Sequence, residues 1–330
     1  MRQSTRTGGL VRWAAAGVAL AVCLGAVLAV VTLSAAPAAA TFPGRDGKIV
    51  FARANQVYTI NANGTGVTKI TSAGKNYQPA WSPDGKRIAY INETTAGVKD
   101  IWVMQANGTG KTRVTNLGVV YGPSFSADGR WIAFGGMKTG AITGPVLMRI
   151  RSTAPFAGLE TLLGATYPDW TDPADLETMP ASDAVAWSTG REIWWYSPSY
   201  PSSPDHYIIQ YNIDTKYYNA YFAVGGACCG FGSVRSPAVS ADNTRIGWTY
   251  LNGDSGDGLP RIVIYPRPFG PQLPFASVAH DDQLAFSPSG TRVALVNDAT
   301  GTARIFTANA DGSGRKLLTS GYQPDWQPLP

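Results

Sequence analysis

The sequence predicts an all-β fold made of repeated four-stranded units, and three observations carry that prediction. Strand and turn formers are abundant, because the 330 residues include 10 Trp, 15 Tyr, 37 Gly and 23 Pro. Hairpin signals of the Asn-Gly and Asp-Gly type recur along the chain. A longer strand–turn–strand element recurs between them. This combination of β formers, turn formers and internal repeats is typical of proteins with many short strands.

The N-terminal region predicts an export signal. Residues 1–12 are polar and basic, residues 13–40 carry no charge, and three alanines at the end of that stretch provide a cleavage site. The apolar core, residues 13–33, is long enough that an uncleaved membrane anchor is the alternative. We therefore expect a signal peptide or anchor over 1–40, a folded domain over 41–330, and a secreted or extracytoplasmic location.

The charge balance argues against a nucleic-acid partner. Removal of Arg2, Arg6 and Arg12 with the leader lowers the formal net charge from +5 to +2. No run of Lys and Arg exists in the rest of the chain. A basic patch is the usual footprint of nucleic-acid binding, so we expect none here.

The first repeated element is a hairpin with a glycine-containing turn. Its three copies share an Asn-Gly or Asp-Gly pair between apolar residues: YTINANGTG at 58–66, VMQANGTG at 103–110 and TANADGSG at 307–314. Such pairs are strong hairpin signals, because the central residues of the favoured two-residue turn take positive φ.

The second repeated element is a strand, a tight turn and a second strand. Two copies are nearly identical: PAWSPDGKRIAY at 79–90 and PSFSADGRWIAF at 123–134. Three weaker copies are VAWSTGREI at 185–193, PAVSADNTRI at 237–246 and LAFSPSGTRV at 284–293. The WSPDGKRIA strand pair, with the IWVM strand at 101–104 and its NGTG hairpin, resembles the repeat of TolB-type β-propellers. That resemblance implies that each repeat supplies one four-stranded blade, and it says little about function.

Six aromatic or apolar anchors give the number of blades. They lie at equivalent points of the repeats: Trp81, Phe125, Trp187, Val239, Phe286 and Trp326. Their spacings run from 40 to 62 residues, and the longest includes an irregular entry at 166–184. The folded part begins with the second strand of a repeat and ends with a first strand. Pairing of the two termini completes one blade, so we predict a six-bladed β-propeller whose C-terminal strand closes the ring.

The channel mouth is the predicted binding site. Four residues before each anchor, the chain enters the innermost strand of a blade, so these positions are expected around one mouth. They are Tyr77, Tyr121, Asp183 (or Thr166), Arg235, Asp282 and Tyr322. Such a ring suits a polar ligand or a peptide end. The alternative is that the tyrosines only fill the channel and pack on the prolines that follow.

Few residues are candidates for catalysis, metal binding or a disulfide. The only histidines are His206 and His280, so we expect no metal centre and no cofactor. His280, beside Asp281 and Asp282, is a weak acid–base candidate. Cys228 and Cys229 are adjacent, and in an oxidising compartment they either form a vicinal disulfide or stay free.

Two functions of different classes follow from these residues. The first is a monomeric binding scaffold for a protein, a peptide or an envelope polymer, with any membrane contact made through the N-terminal segment. The resemblance to TolB-type propellers, which are associated with envelope complexes, favours it. The second is a polysaccharide or peptide hydrolase or lyase that uses the channel mouth.

Overall fold

The computed structural model describes residues 42–138, 144–164, 185–197, 206–224, 233–251 and 258–330. Cys228, Cys229, Asp183, Thr166 and the irregular entry at 166–184 lie outside these residues. No helix among the described residues is long and apolar enough to cross a membrane.

The described residues form antiparallel sheets, each built mainly from strands that follow one another along the chain. The first three sheets in chain order contain β1 (Arg45–Arg53), β2 (Gln56–Asn61) and β3 (Thr68–Lys69); β4 (Lys75–Trp81), β5 (Arg87–Glu93), β6 (Lys99–Gln105) and β7 (Thr112–Arg113); and β8 (Val120–Phe125), β9 (Trp131–Lys138), β10 (Gly144–Arg151) and β11 (Glu160–Gly164). The next three contain β12 (Val185–Trp187), β13 (Glu192–Ser197), β14 (His206–Asn212) and β15 (Tyr218–Val224); β16 (Ser233–Val239), β17 (Arg245–Leu251) and β18 (Pro260–Pro266); and β19 (Asp281–Phe286), β20 (Arg292–Asn297), β21 (Arg304–Asn309) and β22 (Lys316–Ser320).

The last strand closes the ring. β23 (Tyr322–Leu329) pairs antiparallel with β1, so the first blade has the order β23-β1-β2-β3. Five of the six described sheets have four strands. The fifth blade has three, and an isolated bridge between Ile264 and Leu273 stands at its fourth position. The predicted six-bladed fold and its closure by the C-terminal strand are confirmed.

The hydrophobic core is divided among the interfaces between blades. Six clusters of buried side chains are present in the described residues. Five of them join two neighbouring sheets, and the sixth joins the second and third sheets and also includes Ala52 of the first. The cluster of Val50 and Val57 in the first blade with Trp81 and Tyr90 in the second is one of them. Because each blade buries one face against each neighbour, the cores also form a closed ring.

The recurring turns are fixed by their own side chains. Ser82 Oγ donates to Asp84 Oδ1 at 2.6 Å and accepts the Arg87 N–H at 2.9 Å. Gly85, with φ +64°, is the residue that takes the left-handed conformation in this turn. In the 58–66 hairpin, the sequence predicts positive φ at both Asn63 and Gly64. The structure differs, because Gly64 has positive φ and Asn63 does not. This turn is therefore of the bulged type, in which a single left-handed residue is enough.

Candidate functional site

A central channel lies within the ring, and it is lined by the inner strands β4, β8, β12, β16, β19 and β23 together with Phe42, which precedes β1. Its cavity volume is about 160 Å³. The lining changes along the strands. Amides and backbone come first, then a level of mostly small residues, and finally the aromatic anchors. The small-residue level consists of Ala80, Ser124, Ala186, Ala238, Ala285 and Asp325.

A β-bulge interrupts five of the inner strands at the same level. The residue at each bulge has left-handed backbone, with φ between 50° and 60°: Gln78, Gly122, Ser236, Gln283 and Gln323. A bulge redirects the side chains that follow it, and left-handed backbone at a non-glycine residue costs roughly 1–3 kcal/mol. Hydrogen bonds to these residues offset that cost.

Glutamine side chains link the bulges of successive blades around the channel. Gln283 Oε1 accepts the Gln323 N–H at 2.7 Å, and Gln323 Oε1 accepts the Gln78 N–H at 2.8 Å. Gln78 Oε1 in turn accepts the Gly122 N–H at 2.8 Å. The relay runs in one direction through four blades. It fixes each carboxamide, because a backbone N–H has to be met by the oxygen of the amide.

Among the described residues that line the channel, Asp325 is the one with a titratable side chain. Its Oδ2 accepts the Trp81 N–H at 2.7 Å, which joins the first blade to the second. Desolvation by the surrounding protein raises the pKa of Asp325 to about 6, although hydrogen bonds from the backbone of Trp81 and Trp326 oppose the shift. The carboxyl therefore changes its charge near neutral pH.

The five predicted mouth residues that the structure describes lie on the inner strands, one residue before the bulge positions that line the channel. Tyr77, in the second blade, belongs to a core cluster against which Tyr322 of the first blade packs, and burial raises the pKa of both phenols. The Tyr77 hydroxyl donates to Glu93 Oε2 at 2.8 Å within its own blade. The Tyr322 phenol likewise has a hydrogen bond with the backbone of Asn55 in its own blade, so the structure engages both tyrosines.

Arg235 and Asp282 also meet. Arg235 Nη2 lies 2.9 Å from Asp282 Oδ2, and this ion pair joins the fifth and sixth blades. Thr249 Oγ1 donates to Asp282 Oδ1 at 2.7 Å.

The Tyr121 ring covers Gly135 so closely that a Cβ at that position would lie 2.0 Å from the ring. Contacts within and between blades thus hold the described members of the predicted ring.

His280 lies beside the start of β19, away from the channel-lining residues. Its Nδ1 is 2.9 Å from Asp298 Oδ1. The adjacent Asp281 is fully buried and forms an ion pair with Arg315 at 2.6 Å. In the part of the chain that the structure describes, no group of three His, Cys, Asp or Glu side chains is placed to hold a metal ion.

The sequence analysis missed the glutamine relay and Asp325. Gln-Pro occurs three residues before two of the anchors, at Gln78 and Gln323, and a third glutamine, Gln283, occupies the same position. At the position just before the anchor, Asp325 replaces the Ala or Ser of the other repeats. Both signals can be found by aligning the repeats. The alignment shows a glutamine that recurs three residues before an anchor, and it shows Asp325 as a departure from Ala or Ser.

The closed ring of six blades around a channel defines this chain as a six-bladed β-propeller. Among similar solved structures is TolB from Acinetobacter baumannii, with 19% identity, a TM-score of 0.66, and coverage of 86% of this chain and 67% of that one. A protein assigned as TolB from Agrobacterium tumefaciens has 16% identity and a TM-score of 0.61, over 84% of this chain and 91% of that one. A chain of the nidogen/laminin complex has 11% identity and a TM-score of 0.58, over 85% and 98%. No protein-family model and no curated protein sequence matches the chain.

Proposed function

We propose that this protein is an extracytoplasmic binding scaffold that holds a segment of a protein, peptide or envelope-polymer partner in its central channel. One observation carries the proposal: two inner strands, β19 and β23, present oriented glutamine amides to a channel open to solvent, and β23 adds one carboxylate. Binding sites of this kind combine a concave, mostly apolar wall with a few oriented polar groups.

The comparisons support binding as a class of function. The TolB structures have the same six-bladed fold, and the nidogen propeller was solved in a complex with laminin. The N-terminal leader supports a location outside the cytoplasm, with the segment 1–40 either removed or kept as the membrane anchor. The predicted mouth residues, which hold neighbouring blades in place, would support the channel wall.

The experiment is affinity capture from an envelope extract with a channel variant. Gln283→Glu combined with Gln323→Glu keeps the oxygen that each backbone N–H needs and replaces the lumen-facing amide donor by an acceptor. We expect the amount of captured partner to fall at least about tenfold. Each lost hydrogen bond costs on the order of 1 kcal/mol, and the new negative charges repel acceptor atoms of the partner.

The matched control carries the same charge change on the surface. Gln105 and Gln272 are exposed, so Gln105→Glu with Gln272→Glu alters net charge equally without touching the channel. Capture by this control should equal that of the unaltered protein. Equal loss in both variants, or full capture by the channel variant, would show that the partner does not occupy the channel.

A further inference from the structure

Two side chains present unused hydrogen-bond donors to the channel. The Oε1 atoms of Gln283 and Gln323 are each occupied by a backbone N–H of the next blade. Among the residues that the structure describes, the Nε2 group of neither glutamine has a hydrogen-bond partner, and both side chains line the channel. Since the oxygens are fixed by the relay, the Nε2 groups are available to carbonyl or other acceptor atoms of a ligand.

A carboxylate, which is an acceptor of hydrogen bonds, lies deeper in the channel than these donors. Asp325 follows Gln323 by two residues along β23, which places it up to about 7 Å deeper at the usual rise of a strand. No Lys, Arg or His among the described residues pairs with its carboxylate. The five equivalent positions carry only Ala or Ser, so the space in front of the carboxylate is not filled by side chains of the same level.

This arrangement favours an organic cation over a bare metal ion. A divalent cation requires several oxygen ligands, but the amide oxygens here are committed to backbone N–H groups and the lumen receives N–H donors instead. A ligand with an ammonium group at its tip and carbonyl groups behind it satisfies both levels. The ammonium also provides the positive partner that a desolvated carboxylate needs.

We propose that the channel recognises a primary ammonium group of its partner, seated on Asp325, with the carbonyl groups behind it on Gln283 and Gln323. This inference rests on the proposed binding function and assigns its ligand chemistry. Two sources provide that chemistry, a peptide N-terminus and a lysine side chain.

The test is a titration of ¹⁵N-labelled protein with defined probes, followed at the backbone N–H signal of Trp81, which donates to Asp325. The probes are tetraglycine amide, its N-acetyl derivative, N-acetyl-lysyl-triglycine amide and calcium chloride. We expect a saturable shift with at least one of the two amine probes. The N-acetyl tetraglycine probe should bind at least about tenfold more weakly, since a hydrogen bond to a charged group contributes roughly 1.5–3 kcal/mol.

The variant Asp325→Asn provides the decisive comparison. It preserves an oxygen for the Trp81 N–H and removes the charge, so it should bind the amine and acetylated probes equally. Gln105→Glu, on the surface, should behave as the unaltered protein. Binding by tetraglycine amide alone assigns the N-terminus, and binding by the lysyl probe alone assigns the side chain; both outcomes support the proposal.

Three outcomes overturn it: equal binding of free and acetylated probes, a saturable shift with calcium alone, or no saturable shift with any probe. Its failure is distinguishable from failure of the proposed function. If partner capture is lost in the Gln283→Glu/Gln323→Glu variant but unchanged in Asp325→Asn, the channel binds its partner without an ammonium contact. If the glutamine variant captures normally, the partner binds elsewhere.

Discussion

Asp325 makes the stability of the propeller depend on pH in an unusual direction. Its folded-state pKa of about 6 lies above the ordinary value of 3.8, because desolvation in the channel disfavours the charged form. The folded protein therefore holds the proton more tightly than the unfolded chain. Below about pH 4 both states are protonated and there is no penalty. The penalty grows as the pH rises from about 4 to about 6, and it stays constant above that range.

The magnitude follows from the size of the shift. Each pKa unit corresponds to about 1.4 kcal/mol, so a shift of about two units gives an upper value of about 3 kcal/mol. The carboxylate faces a channel that admits solvent, which reduces this value, and we expect about 1–3 kcal/mol. Asp325→Asn removes the ionisable group, so its free energy of unfolding should exceed that of the unaltered protein by this amount at pH 8.

The assay is urea denaturation followed by tryptophan fluorescence at a series of pH values from about 4.5 to 8. The difference between the variant and the unaltered protein isolates Asp325, because other titrating groups contribute equally to both. Asp84→Asn is the control, and its effect on the free energy of unfolding should have the opposite sign. Hydrogen bonds from Ser82 and Lys86 hold the pKa of Asp84 below its ordinary value despite partial burial, so the ionised carboxylate stabilises the fold. A pH-independent difference for Asp325→Asn, or one that shrinks as the pH rises, would refute the reasoning.

Three further predictions concern the contacts between and within blades. Arg87→Ala should lower the free energy of unfolding by about 1–3 kcal/mol, because the guanidinium lies 5.3 Å from the Phe125 ring of the next blade; an unchanged urea midpoint would contradict this. Gly135→Ala should cost about 2 kcal/mol or more, since its Cβ would collide with the Tyr121 ring, and the same assay measures it. Deletion of residues 322–330 removes the inner strand of the first blade and should abolish the cooperative transition; a sharp transition in the truncated chain would show that closure is dispensable.

The spacing of local motifs was enough to predict the architecture. Each strand–turn–strand copy specifies its turn through neighbours only a few residues apart, as Ser82 and Asp84 illustrate. The anchors then repeat at the length of one blade, and the unmatched strands at the two ends predict the pairing of β23 with β1. Closure is a long-range contact, yet it follows from counting the strands of each repeat. The count leaves one unmatched strand at each end of the folded part, and these two strands complete one blade.

The identity of the channel-lining side chains was not predictable in the same way. Tyr77 and Tyr322 are predicted as mouth residues because they stand where the chain enters an inner strand, four residues before an anchor, whereas a bulge in five of the inner strands redirects the side chains from the next residue on. Gln78 and Gln323 therefore line the channel. Bulges depend on hydrogen bonds from neighbouring blades, and these bonds join residues as far apart in sequence as Gln78 and Gln323.

The sequence by itself thus determined the repeat, the number of blades and the closure of the ring, since all three depend on local patterns and on counting. The tertiary structure decided which residues face the channel and how Asp325 behaves. Its carboxyl accepts a hydrogen bond from Trp81, 244 positions away, and is desolvated by the protein that surrounds it. Desolvation depends on everything that surrounds a group in space, so a raised pKa cannot be read from the neighbours of that group along the chain.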